Sequence, residues 1–174
     1  MEKYEVRQQT DEVKSQLERV LADYQDSFVA RTDIKALQEM IKDAEGHFES
    51  ECRAYNCYEI DVDRGLVSGE LKMRPYQFDT ELFNKIVDHA SQYKRTGIVR
   101  YKVGNEYLET DEMKEKLKCL ISGLNGRDDV PSNSLGLMKS FLSQLDRSFN
   151  LSAKQIRIVE FVLRETEKSA LETI

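Results

Sequence analysis

Apolar residues recur in steps of three and four from about residue 10 to residue 55, and this spacing constrains the fold more than any other feature. Such steps place the apolar side chains on one face of a helix. Thr32 and Asp33 could cap a second helix, which would fold the region into a helical hairpin. A single long helix, disturbed at Arg31–Asp33, is the alternative.

The apolar stripe is narrow and close to a heptad, so it requires a partner helix from this chain or from another copy. We expect that partner-helix interface to include Leu17, Leu21, Tyr24 and Phe28, and we allow for a homo-oligomer formed through these helices. Residues 1–57 carry 13 acidic and 8 basic side chains, which is most of the acidic excess. They are predicted to form an acidic helical arm, either coiled-coil-like or a hairpin.

Residues 58–109 have a different pattern. Tyr58 to Asp63 alternates apolar with acidic residues, as a half-buried strand does, and Arg64-Gly65 could turn it into a second strand ending at Met73. Asp79 is a good N-cap for a helix that Gly97 can end. Residues 98–103 alternate again, and a tight turn leads into residues 106–108. This region is predicted to be a small β-β-α-β unit.

Residues 110–174 are predicted to form helices that pack with that unit. Thr110 and Ser134 are the expected caps of the first two. The last helix has the clearest start, because Ser152 and Gln155 form a capping box and Leu151 and Ile156 a hydrophobic staple. The fold class is therefore α+β and predominantly helical, with an N-terminal arm or hairpin, a central β-β-α-β unit and a C-terminal helical bundle.

Composition excludes several classes of protein. No stretch is apolar over the length that a membrane span needs, and the N-terminus lacks the apolar region of a secretory signal. The three cysteines, Cys52, Cys57 and Cys119, suggest free thiols in a reducing compartment, so we expect a cytoplasmic protein. The net charge of −6 argues against a surface that grips nucleic acid everywhere, although a local basic patch remains compatible with it.

No residue pattern predicts a catalytic centre, a cofactor or a metal. His47, Cys52 and Cys57 are spaced by five, so on a helix they do not share a face. Neither histidine has a nucleophile near it in sequence. Asp61 and Asp63 would share a strand face, as the metal-binding carboxylates of a nuclease do, which keeps a metal-dependent nuclease as an alternative. We therefore favour a binding protein over an enzyme.

A basic and aromatic cluster is the best candidate surface for nucleic acid or another partner. By strand alternation, Arg100 and Lys102 share one face, and Lys72 and Arg74 could lie alongside if their strands pair. Such a patch could contact phosphates while an aromatic ring stacks on a base. The predicted site consists of Lys72, Arg74, Tyr93, Lys94, Arg95, Arg100 and Lys102.

Residues 140–159, SFLSQLDRSFNLSAKQIRIV, resemble an element of bacteriophage-encoded proteins of DNA metabolism. The matching residues lie in two short helical stretches, with Asn150 where such turns often have glycine. They are Phe141, Leu142, Gln144, Leu151, Ser152, Lys154 and Gln155. The resemblance, which spans about residues 134–164, implies a phage-type accessory protein that binds a host or phage macromolecule in DNA metabolism, regulation or counter-defence. A structural or assembly component of a virion is the runner-up.

Overall fold

Six helices and one two-stranded sheet make up the regular structure of residues 1–172, which are the residues that the computed structural model describes. The predicted α+β, predominantly helical fold class is confirmed. The helices are α1 (Lys3–Asp23), α2 (Arg31–Asp63), α3 (Thr80–Thr96), α4 (Thr110–Leu124), α5 (Ser134–Asp146) and α6 (Ala153–Glu172), and the strands are β1 (Arg100–Val103) and β2 (Glu106–Glu109).

The chain forms two compact units. The first comprises residues 1–25 and 35–79, and the second comprises residues 26–34 and the described residues from Thr80 onward. The residues that we assigned to a central unit, 58–109, are thus divided between them. The first unit has 16 acidic and 10 basic side chains, whereas the second has 16 of each. The whole net charge therefore belongs to the first unit.

In the first unit, the hairpin alternative for residues 10–55 is confirmed, since α1 and α2 are separate helices. Two side chains of α1 form ion pairs with a glutamate of α2. Arg7 Nη1 lies 2.9 Å and Lys14 Nζ 3.0 Å from the two carboxylate oxygens of Glu45. Three residues of the predicted stripe, Leu17, Leu37 and Ala44, are buried in this unit. The other buried apolar residues lie outside that stripe and are Val6, Met40 and Met73.

The two strands predicted at residues 58–63 and 66–73 were wrong. Residues 58–63 continue α2, and residues 66–73 form no regular structure. Ile60 and Val62 are exposed, so an extended backbone there would not be stabilised by burying one face of a sheet. The helix continues to Asp63 instead. Within the described residues β1 pairs only with β2, so the strand pairing that was to bring Lys72 and Arg74 beside β1 is absent.

In the second unit, the predicted helices and the predicted hairpin are present. β1 runs antiparallel to β2, with Arg100 opposite Glu109 and Val103 opposite Glu106. The core lies between the sheet and helices α4 to α6 and is almost entirely apolar. Two caps differ from those expected, because Glu109 rather than Thr110 precedes α4 and Asn133 rather than Ser134 precedes α5.

The start of α6 agrees with its prediction in detail. Ser152 N–H donates to Gln155 Oε1 at 2.9 Å, and Gln155 N–H donates to Ser152 Oγ at 3.2 Å, which is the expected capping box. Leu151 and Ile156 are fully buried. Gln144 exchanges amide hydrogen bonds with Gln155 and also donates to the carbonyl of Asn150. The side chains of Gln144, Ser152 and Gln155 thus hold the turn between α5 and α6 in place.

Asp33, like Thr32, lies in the first turn of α2 rather than before it, so it is not the N-cap residue that we expected. Its carboxylate Oδ1 instead accepts the N–H of Ala153 at 2.9 Å, which caps α6. Oδ2 is buried and makes no hydrogen bond within residues 1–172. Burial raises the pKa of Asp33 to about 6, although the Ala153 N–H partly offsets the increase.

This burial predicts how stability depends on pH. The folded-state pKa of Asp33 lies above its ordinary value of 3.8, so its stabilising contribution is complete below pH 3.8 and is lost as the pH rises through about 6. Asp33→Asn keeps the oxygen that accepts the Ala153 N–H and cannot ionise. Its free energy of unfolding relative to the wild type should rise by about 2 kcal/mol between pH 4 and pH 7. Urea denaturation at both pH values measures this difference, and a constant difference would contradict the assignment.

Candidate functional site

Arg100 and Lys102 share one face of β1, as predicted, while Tyr101 and Val103 are buried on the other. Both cations, however, are already paired. Arg100 Nη2 lies 3.2 Å from Glu109 Oε1, and Lys102 Nζ lies 3.3 Å from Asp88 Oδ2. A phosphate would have to compete with these carboxylates, so the strand face is less cationic than its sequence indicates.

The other members of the predicted cluster in the second unit are dispersed. Tyr93 is half-buried and packs against the apolar core. Lys94 and Arg95 are exposed at the end of α3. Arg95 and Arg100 line a shallow depression. Its other lining residues are Gln92, Tyr107 and the two carboxylates Glu109 and Glu112. This surface carries mixed charge.

Arg74, in the first unit, anchors the chain that follows α2. Its N–H donates to Glu51 Oε2 at 2.8 Å, and its Nη2 donates to Glu51 Oε1 at 2.9 Å. His47 Nε2 donates to the carbonyl of Arg74 at 2.9 Å. The Arg74 N–H, more than its guanidinium, holds the pKa of the buried Glu51 below its ordinary value. We call the Glu51–Arg74 pair the clasp. Lys72, which precedes it, is exposed.

The last turn of α2 and the residues that lead from it to the clasp form a segment that sequence reasoning missed as a site. Residues 60–71, here called the apolar loop, expose large apolar side chains to between 37 and 69% of their maximal area. These side chains are Ile60, Val62, Leu66, Val67 and Leu71. Their sequence signal was present, but it was interpreted as the alternating faces of two strands.

The backbone of the apolar loop has a defined geometry. Leu66 N–H donates to the carbonyl of Asp61, and Gly65 N–H donates to that of Val62, which is a Schellman motif with Gly65 at a φ of 68°. In such motifs the residue after the glycine usually packs against the last helical turn, but here Leu66 is exposed. The cap therefore explains the turn and leaves the Leu66 side chain in solvent.

The far end of the loop is held as well. Gly69 has a φ of 117°, and a Cβ there would lie 3.4 Å from the Tyr58 hydroxyl oxygen. Met73 is buried, and its N–H donates to the carbonyl of Met1 at 3.2 Å. The clasp follows at once. The loop is thus anchored at both ends, while Leu66 is largely exposed and its other large apolar side chains are partly exposed.

The buried His89 and the two aspartates near the end of α2 are not arranged for acid–base or metal chemistry. His89 is fully buried, and its Nε2 accepts the Lys102 N–H at 3.0 Å. Burial, with Lys85 and Lys102 nearby, lowers the pKa of His89 to about 3, so the ring is neutral. Asp61 and Asp63 lie on α2, where residues two apart point about 200° apart. The prediction that they share a strand face, on which the nuclease alternative rested, was wrong. In residues 1–172 no three His, Cys, Asp or Glu side chains are grouped to hold a metal ion.

The expected partner-helix interface is partly used inside the chain. Leu17 is fully buried, so it cannot contact a second copy without unfolding. Leu21, Tyr24 and Phe28 are half-buried. A homo-oligomer through these helices stays a prediction.

Comparison with known proteins adds no family: no family model, no curated protein and no solved structure matches this chain. No helix among the described residues combines the length and the apolar content of a membrane span. The structure thus defines a mostly helical, two-unit protein whose most distinctive surface is the apolar loop.

The clasp can be tested by proteolysis. Glu51→Ala removes an acceptor of charge-assisted hydrogen bonds, each contributing about 1.5–3 kcal/mol, so the loop should open more often. Trypsin cleavage after Arg64 and Lys72 should become roughly tenfold faster. Glu49→Ala changes an exposed glutamate on the same helix and should leave the rate unchanged. Equal rates for the two variants would show that the clasp does not hold the loop.

Proposed function

We propose that this is a non-catalytic, phage-type accessory protein that binds another protein through the apolar loop. The observation that carries the proposal is the presentation of five large apolar side chains by a segment anchored at both ends. Exposed apolar side chains in a contiguous group mark interaction surfaces, because burying them on a partner releases free energy that the folded chain has not used.

The charges of the loop indicate what its partner is like. Residues 59–70 contain four carboxylates and one base, namely Glu59, Asp61, Asp63, Glu70 and Arg64. The pKa of Tyr55 is raised because Glu59 lies near it, with Glu2 and Glu70 contributing. A surface of this kind fits an apolar patch bordered by lysine or arginine. A second copy would bring like charges together, which disfavours self-association through the loop.

The phage-type context rests on the resemblance of residues 140–159. Three of the matching side chains, Gln144, Ser152 and Gln155, close the turn between α5 and α6. The proposed roles are therefore those of a binding partner in DNA metabolism, regulation or counter-defence in the host cytoplasm.

Changing two loop side chains tests the proposal. Leu66 is 69% exposed and Leu71 is 37% exposed, so Leu66→Ser combined with Leu71→Ser should lower the free energy of unfolding by only about 1–2 kcal/mol. Affinity capture with the wild-type chain, followed by titration of the captured protein, should give a complex that the double variant weakens at least about tenfold. The complex should also weaken with salt, because its steering charges are exposed.

The matched control is Tyr4→Ser combined with Phe149→Ser, two exposed aromatic residues outside the loop. It should bind the captured protein as the wild type does. Retention of the same partner by the loop variant would remove the basis of the proposal, as would a high-order closed assembly of the purified chain that the loop variant dissolves. The second result would instead favour a virion or assembly component.

A further inference from the structure

Residues 26–34, here called the latch, join α1 to α2 and belong to the second unit. Their regular structure is limited to the first turn of α2, because residues 26–30 form turns and bends rather than a helix or a strand. Val29 is the apolar residue of the latch that is buried, and it lies in the core of the second unit. A segment with so little regular structure and so little buried apolar area depends on its polar contacts to stay in place.

Two side-chain hydrogen bonds hold the latch on the start of α6. Asp33 Oδ1 accepts the Ala153 N–H at 2.9 Å, and Asn150 Nδ2 donates to the carbonyl of Val29 at 2.9 Å. The first bond satisfies an N–H for which the helix itself has no acceptor. Opening of the latch therefore removes a cap from α6 and withdraws Val29 from the core.

The carboxyl group of Asp33 is the part of the latch whose charge can change. Asp33 is only 2% exposed, and its Oδ2 has no hydrogen-bond partner within residues 1–172. A carboxylate in this position loses the water that would solvate its charge, so the closed latch favours the neutral carboxyl. Burial accordingly raises the pKa of Asp33 to about 6, and the backbone N–H groups of Ala153 and Ala30 offset only part of the increase.

The groups around Asp33 do not compensate its charge. From β1 the titratable neighbour is Tyr101, and burial raises the pKa of its hydroxyl to about 12, so it stays neutral. From the turn before α6 the neighbour is the neutral amide of Asn150, which binds Val29. Apart from burial, the causes of the shifted Asp33 pKa are backbone N–H groups, with no charged side chain of residues 1–172 among them. The ionisation of Asp33 is therefore controlled by its access to water, which differs between the closed and the open latch.

We propose that the latch is a proton-controlled device, in which protonation of Asp33 holds residues 26–34 closed on α6 and its ionisation lets them open. In the open latch water reaches both carboxyl oxygens, so the open form binds the proton less tightly than the closed form. The ratio of open to closed latch therefore rises with pH from about pH 4 and levels off above about pH 6. This opening concerns one segment while the rest of the unit stays folded. It goes beyond the protein-binding function proposed above and uses none of its residues.

Amide hydrogen exchange on the full chain, at pH 4 and pH 7 and at several low concentrations of urea, tests the proposal. The Ala153 amide, which donates to Asp33, should exchange through a local opening, so its opening constant should not depend on urea in this range. After correction for the intrinsic exchange rate, this constant should be roughly fiftyfold larger at pH 7 than at pH 4. In Asp33→Asn, which cannot ionise, it should change by less than about threefold.

The matched control is Asp26→Asn, which makes the same change of charge at an exposed position of the latch and should keep the wild-type pH dependence. The amide of Leu117, in the middle of α4, is the reference for global unfolding, and its exchange should accelerate with urea. Equal opening constants of the wild type at pH 4 and pH 7 would overturn the proposal without any variant. So would a Ala153 amide that follows the urea dependence of Leu117, a pH dependence that Asp33→Asn retains, or one that Asp26→Asn abolishes.

Discussion

A buried polar cluster at the N-terminus of α6 is the constraint on which the second unit depends. Asp33 caps the helix, and the Tyr101 hydroxyl accepts the Leu151 N–H while it donates to Asn150 Oδ1 at 3.4 Å. Asn150 Nδ2 in turn donates to the carbonyl of Val29 at 2.9 Å. Because these groups are buried, or half-buried in the case of Asn150, each lost partner leaves a polar atom poorly satisfied at a cost of about 1–3 kcal/mol. The cluster therefore fixes where α6 begins and which of its faces meets the core.

Elements whose signals are local were predictable from the sequence. The capping box at Ser152 and the apolar steps of α3 to α6 specify helices without reference to distant residues, and Gly104 specifies the hairpin turn. Residues 58–63 were not predictable in this way, because a six-residue alternation fits a short strand and a helix end equally well. Only the absence of a buried face decides between them, and burial depends on the rest of the chain.

The candidate surfaces show the same division. Arg74 was predicted to bind phosphate, but its side chain pairs with Glu51, which lies 23 residues away. No local sequence pattern predicts a pair at that separation. Asp33 caps a helix that starts 120 residues later, which explains why it was assigned to the nearer one. Asn150 stood out only as a departure from glycine, yet its side chain joins Tyr101 to Val29.

Net charge is a poor guide to what this chain binds, because the charge is unevenly distributed. The excess of −6 belongs to the first unit, which also carries the apolar loop, while the second unit is neutral as a whole. At 0.1 M salt a charge is screened within about 10 Å, so a ligand responds mainly to the side chains that it touches. A partner of the apolar loop therefore responds to the acidic side chains of the first unit, whatever the net charge of the whole chain.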